Sequence, residues 1–242
     1  MKPKNAIRAI LFDIGWTLIY PEPTRKEADE RYLLDHGYPF RSEDFESASR
    51  AAANYYRDHR WLPEAMQNNA QFWQEYYTIF VDQLGINEPG LAGVLNHNTR
   101  KSMHFILYPE TLPVLQELRA RGFLIGAVSN WSTTLPDILK ELGLTGYLDS
   151  LVVSDLIGYH KPQGEIFRHA LRTLRVDAAE AVHIGDSFEA DIEGARQVGI
   201  RSIWLDRGAG TGDERPDRIQ TLSELLSILP NSEHPHSPSV IP

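Results

Sequence analysis

The stretch Ala9-Ile10-Leu11-Phe12-Asp13-Ile14-Gly15-Trp16-Thr17-Leu18 decides how the rest of the chain is read. Four apolar residues in a row suit a short strand buried on both faces, and the run ends on a carboxylate followed by a turn. A strand that delivers Asp13 to its carboxyl-terminal edge puts a charge where open α/β sheets hold their ligands. Downstream the same grammar recurs. Predicted strands at 123–128, 151–153, 181–184 and 200–205 alternate with amphipathic helices at 111–121, 135–142, 165–174 and 190–198. Gly122, Gly143 and Gly199 close three of those helices. Such alternation predicts a doubly wound, mainly parallel α/β sheet of Rossmann-like type with helices on both faces.

One block breaks the alternation. Pro21-Glu22-Pro23-Thr24 is a breaker cluster, and Thr24 with Glu27 three residues later spells a capping box. From there to about residue 104 the pattern is helical only. Phe45, Ala48, Ala52 and Tyr55 fall at helical spacing, and Phe72, Trp73, Tyr76, Tyr77, Phe80 and Val81 form an aromatic stripe read as bundle core. The predicted organisation is an α/β core of residues 1–20 and 106–229, an inserted all-helical cap of residues 21–105, and a disordered tail at 230–242. A last helix is predicted over 216–229.

Composition removes several functions. With no cysteine, disulfides, thiolate zinc sites and cysteine nucleophiles are excluded. The 33 acidic residues outnumber the 24 basic ones and no lysine-arginine cluster occurs, which argues against a nucleic-acid partner. No apolar run reaches the length of a membrane span and no signal-peptide pattern opens the chain, so no membrane association and a cytoplasmic location are expected. A formal charge of −9 repels anions, so a phosphate site is expected to be locally positive.

Asp13, Ser129, Lys161 and Asp186 each follow a predicted strand, which would gather them at one edge of the sheet. The set resembles the haloacid dehalogenase-like (HAD) superfamily. Phe12-Asp13-x-x-x-Thr17-Leu18 resembles its first motif, Ser129 its second, Lys161 its third, and Gly185-Asp186-x-x-x-x-Asp191 its fourth, in the same order. The resemblance implies a nucleophilic Asp13, which attacks a phosphoryl group and splits hydrolysis into formation and breakdown of an aspartyl-phosphate. It implies Mg2+ held by Asp13, the Gly15 carbonyl, Asp186 and Asp191, since magnesium takes hard oxygen ligands. Asp186 is the preferred direct ligand, and Asp191 is open to supporting Lys161 instead. Lys161, aimed by Pro162, would neutralise the nucleophile and one transferring oxygen. Ser129 and the amides near Asn130 would bind phosphate oxygens, and Thr17 would orient Asp13. Trp16 and Trp131 lie within three residues of motif positions, either walling the substrate or packing beneath the insert. His160 and His183 read as structural.

Gly15 departs from the pattern. Phosphatases of the superfamily carry there a second Asp that protonates the leaving oxygen, help typically worth about 10²- to 10⁴-fold. Three readings follow: a magnesium-dependent phosphatase acting on a small organic phosphate, a 2-haloacid dehalogenase-type hydrolase, or an impaired member that binds a phosphorylated ligand. Dehalogenases of the superfamily replace the acidic pair and place a tyrosine where this chain has Phe167. The phosphatase is therefore the expected reading.

Overall fold

The structure, a computed structural model, describes residues 6–59, 69–208 and 217–229. Its chain divides into two compact units, Met1–Tyr20 with Phe105–Pro242, and Pro21–His104. The first unit is built on a six-stranded sheet of order β5-β4-β1-β6-β7-β8. Its strands are β1 (Ala9–Phe12), β4 (Leu124–Ser129), β5 (Ser150–Val153), β6 (Ala181–Gly185), β7 (Arg201–Leu205) and β8 (Arg218–Ile219), and every pairing is parallel. β1 lies in the middle, with Phe12 in register with Ala127 on one side and Ile184 on the other.

Every residue of β1 is buried, because each face of the sheet has its own core. Ile10 and Phe12 join one cluster with Val114, Leu118, Leu139 and Leu225, whereas Ala9 and Leu11 join another with Phe167, Leu171 and Ala195. This alternation is the two-residue period of a strand, and it explains why the run has no polar position until the strand ends. Helices Thr111–Ala120, Leu135–Glu141 and Gly164–Leu174 occupy the expected stretches with ends shifted by a residue. The predicted helix at 190–198 is instead a π-helical turn, Phe188–Glu193, running into a short α-helix, Gly194–Gln197.

Among its described residues the second unit has four helices, α1 (Arg25–Asp35), α2 (Ser42–His59), α3 (Asn69–Leu84) and α4 (Leu91–Ser102). The capping box at the start of α1 is formed, with Glu27 N–H donating to Thr24 Oγ1 and Thr24 N–H to the Glu27 carboxylate. The aromatic stripe packs as bundle core: Tyr77, Phe80 and Val81 are buried with Leu33, Phe45, Ala48 and Leu95. Within that core Asp29 is buried and accepts from Thr99 Oγ1 at 2.5 Å and Tyr77 Oη at 3.0 Å, while Arg25 donates to Tyr77 Oη and lies over the Trp73 ring.

Further expectations need correction. Pro21 and Glu22, read as part of a breaker, and residue 104, read as the end of the helical block, lie in the paired strands β2 (Ile19–Glu22) and β3 (His104–Leu107). A two-stranded ribbon has only edge strands, and an edge tolerates the proline at position 21. The last predicted helix, 216–229, gives way to β8, a 3₁₀ turn at Leu222–Glu224 and one helical turn at Leu225–Ile228. Arg218 and Ile219 pair with Trp204 and Leu205, and that ladder outweighs local helix preference. The tail expected at 230–242 lies outside the described residues, as does Pro216. No helix among the described residues is long and apolar enough to cross a membrane.

Candidate active site

The carboxyl ends of β1, β4 and β6 and the loop after β5 meet at Asp13. Its backbone N–H donates to Ile184 O at 2.8 Å, which extends the β1–β6 ladder by one rung and fixes where the carboxylate starts. Asp13 is buried, with Oδ1 2.5 Å from Lys161 Nζ and Oδ2 accepting from Thr17 Oγ1 at 3.2 Å. Thr17 sits on a tight turn closed by Leu18 N–H to Ile14 O and Trp16 N–H to Ile19 O. Trp16, at the tip of that turn, adopts a left-handed backbone (φ 60°) and is exposed. That conformation is uncommon without glycine. Arg207 secures the turn from outside by donating to Trp16 O and Thr17 O, while its guanidinium lies over the Tyr108 ring and pairs with Glu110.

Lys161 is 2% exposed, an unusual place for an ammonium, and it is held there by two carboxylates. Nζ reaches Asp13 Oδ1 at 2.5 Å and Asp191 Oδ1 at 2.6 Å. Burial alone would lower its pKa, but the two anions outweigh burial and raise it, so it remains charged. Its backbone is gripped as firmly: Lys161 N–H donates to Asn130 Oδ1 at 2.7 Å and Asn130 Nδ2 donates to Lys161 O at 2.9 Å. The Asn130 carboxamide, grouped from sequence with the phosphate ligands, is thus committed at both ends to positioning the lysine. Ser129, ending β4, is buried beside it in sequence.

Asp191 comes from the π-helical turn, where Ile192 N–H reaches back five residues to Ser187 O. Such turns often mark functional sites. Its Oδ2 accepts from Ser187 N–H at 3.1 Å, and Oδ1 also faces His183 Nε2 at 2.9 Å. Despite burial, Lys161 and His183 hold Asp191 ionised, at about 2. Gly185 makes this geometry possible, since a Cβ at that position would lie 2.2 Å from Asp191 Cγ.

Asp186 differs. It is half-buried and its backbone carbonyl accepts from Trp204 Nε1 at 2.9 Å. Burial, and then the charges of Asp13 and Asp191, push its carboxyl up to about 8. Carboxylate oxygens of Asp13, Asp186 and Asp191 all lie within 4.8 Å of one another. With all three carboxyls ionised the four groups would carry a formal charge of −2, and even with Asp186 protonated the charge is −1, so the side chains do not supply the local positive potential expected from sequence. A divalent cation on these hard oxygen donors would balance the charge, and this donor set fits magnesium. Asp13 titrates upward for the same reason, burial first, with Lys161 opposing it.

Sequence reasoning placed Asp13, Thr17, Lys161, Asp186 and Asp191 at one site, and the structure brings these five together. It did not foresee the contacts of His183, Ser187 and Arg207, which carry no motif of their own, nor that Gly185 leaves room for Asp191 and Asn130 grips Lys161. His160 stands one residue before Lys161, with burial lowering its pKa.

The chain belongs to the haloacid dehalogenase-like hydrolases, whose family profile matches residues 7–199. Among similar proteins, a glyceraldehyde 3-phosphate phosphatase of Methanopyrus kandleri is 29% identical over 92% of this chain and 97% of its own length. A ribulose-1,5-bisphosphate 5-phosphatase of Halopiger xanaduensis is 30% identical, over 91% of this chain and 98% of its own. Among solved structures, the HAD hydrolase YfnB of Bacillus subtilis, solved bound to magnesium, shares the fold at a TM-score of 0.73 and 21% identity, covering 93% of this chain and 99% of that one.

Proposed function

We propose that this hydrolase is a magnesium-dependent phosphatase of a small organic phosphate, with Asp13 as its nucleophile. The observation that carries the reading is the Asp13–Lys161–Asp191 chain at the end of β1, with Asp186 close by. Asp13 Oδ attacks phosphorus, the bond from phosphorus to the leaving oxygen breaks, and water then hydrolyses the aspartyl-phosphate. Thr17 holds the second carboxylate oxygen and so fixes the direction of attack. Lys161 stays charged throughout, which opposes the effect of burial on Asp13 and offsets charge developing on the transferring group.

Asp13, the Gly15 carbonyl and Asp186 would hold Mg2+, which would neutralise the repulsion between nucleophile and phosphate. Asp191 is assigned the brace of Lys161, because Lys161, His183 and Ser187 already engage both of its oxygens. Ser129 and the neighbouring amides are assigned to the phosphate oxygens. The helical unit, inserted between the first two motifs, is assigned the role of a substrate-selecting cap. Relatives named for glyceraldehyde 3-phosphate and ribulose-1,5-bisphosphate support a small phosphorylated carbon skeleton as substrate class. Retention of Asp186 and Asp191 speaks against halide displacement, which has no use for a cation site.

The test is release of inorganic phosphate from a panel of small organic phosphates, with magnesium present and then chelated. Magnesium-dependent release that disappears in Asp13→Asn is expected. Halide release from a 2-haloacid, with no phosphate release from any ester, would overturn the reading.

A further inference from the structure

Gly15 stands where the superfamily's leaving-group acid would be carried, and the space beside it is already taken. A Cβ built on Gly15 would lie 3.2 Å from Trp131 Cζ3 and 4.0 Å from Cε3. The first distance is tighter than ordinary van der Waals contact. For a side chain to be placed there the indole would have to give by a few tenths of an ångström. The ring has little freedom to retreat. It packs edge-to-face on Phe105, with centroids 4.9 Å apart, and lies against the Phe12 and Ile14 cluster. One hydroxyl pins its backbone at both ends, since Trp131 N–H donates to Ser154 Oγ and Ser154 Oγ donates to Trp131 O, each at 3.1 Å. Asp155 N–H donates to the same carbonyl. Gly15 is therefore one half of a fitted pair whose other half is Trp131.

We infer that Trp131 replaces the missing acid as the group that meets the leaving group, and that the substrates are phosphate esters or anhydrides whose leaving group departs as a stable anion. The inference rests on the phosphatase reading but parts from the alkyl esters that the two relatives are named for, setting the substrate class as aryl, enol and acyl phosphates. An indole edge donates no proton to an alkoxide, but it gives a flat apolar leaving group a surface to lie against. The step balances without an acid. Asp13 Oδ forms a bond to phosphorus, the bond to the leaving oxygen breaks, and its electron pair leaves on an aryloxide, enolate or carboxylate. That anion takes its proton from solvent. Water then cleaves the aspartyl-phosphate and regenerates Asp13.

The experiment compares wild type, Gly15→Asp, Trp131→Leu and the double variant on 4-nitrophenyl, phenyl and ethyl phosphate. Wild type is expected to lose kcat/KM at each step of that series. Gly15→Asp alone is expected to gain little on ethyl phosphate, whereas the double variant gains about 10²-fold or more, the value of a working general acid. Binding supplies a second readout. The preference for phenylphosphonate over ethylphosphonate should fall about 3- to 10-fold in Trp131→Leu and survive in Trp131→Phe, which also controls for folding. Equal wild-type rates on ethyl and 4-nitrophenyl phosphate, or a Gly15→Asp variant matching the double, would overturn the inference and leave the phosphatase standing. Absence of phosphate release from all three esters would overturn both.

Discussion

His183 Nε2 lies 2.9 Å from Asp191 Oδ1, the oxygen that also takes the Lys161 ammonium. Asp191 is held ionised and can only accept, so Nε2 carries the proton and His183 is the donor. Its ring is wholly buried, edge-to-face on Phe167, and Nδ1 has no partner among the described residues. Through Asp191 and Lys161 the histidine stands three hydrogen bonds from Asp13, so on the proposed reading it positions rather than reacts. His183→Leu should lower kcat about 10- to 100-fold with little change in KM, the usual cost of losing a supporting hydrogen bond behind a metal site. Steady-state kinetics on a correctly folded variant check it; an unchanged kcat would reduce His183 to packing.

Lys161 is the counter-ion of two buried carboxylates. Lys161→Met keeps the length of the stem and removes the charge, leaving Asp13 and Asp191 facing each other. Breaking a buried pair in this way costs about 3–5 kcal/mol. Urea unfolding without divalent cations should show that loss, and magnesium should restore part of it. Loss of equal size with and without magnesium would detach the lysine from the cation site.

Asp186 must shed a proton before it can hold a cation. Because burial and its two acidic neighbours raise its carboxyl to about 8, apparent magnesium affinity should tighten as pH rises and level off above that value. Where one proton is displaced per cation, the change approaches about tenfold per pH unit. Calorimetric titration at several pH values reads it, and Asp186→Asn should bind weakly at all of them. A flat profile in the wild type would exclude Asp186 as the titrating ligand.

In the helical unit, Asp29 is raised from 3.8 to about 6, chiefly by burial, against hydrogen bonds from Thr99 and Tyr77 and the charge of Arg25. Its folded-state pKa exceeds its unfolded one, so its contribution to stability is fully present below about pH 4. That contribution is lost as pH rises through about 6. The loss is on the order of 2–3 kcal/mol. Thermal melts across pH 4 to 7 should show that slope in the wild type and lose it in Asp29→Asn, whose carboxamide oxygen can still accept.

The sheet was legible because its central strands β1, β4 and β6 are almost wholly buried and, His183 apart, run apolar until they end. Asp13, Ser129 and Asp186 announce themselves by terminating apolar runs. β2 was hidden by Pro21, and β8 by being two residues long, too short for any periodicity. Within the cluster, Asp13, Thr17, Lys161, Asp186 and Asp191 fell in recognisable motifs, whereas the contacts that hold them did not show in sequence. Asn130 grips Lys161 across 31 positions, and His183 meets Asp191 only because a π-helical turn re-aims the aspartate. The contact between Trp131 and Gly15 leaves no mark in sequence, since a glycine spells the absence of a side chain without naming what occupies the space.

The central place of β1 also sets a timetable for synthesis. Both strands that flank it come much later in the chain, and Asp13 finds its lysine 148 residues downstream. At about 5–20 residues per second, the ribosome takes many seconds to deliver Lys161 and Asp191 after Asp13 has emerged. Until β4 emerges the first strand is an unpaired apolar segment with no sheet to join, while the local contacts of Pro21–His104 allow that unit to fold. The helical unit can therefore reach its native form on the nascent chain while the first strand still waits. The Asp13–Lys161–Asp191 cluster is thus completed only after the helical unit, from segments of the polypeptide made far apart in time.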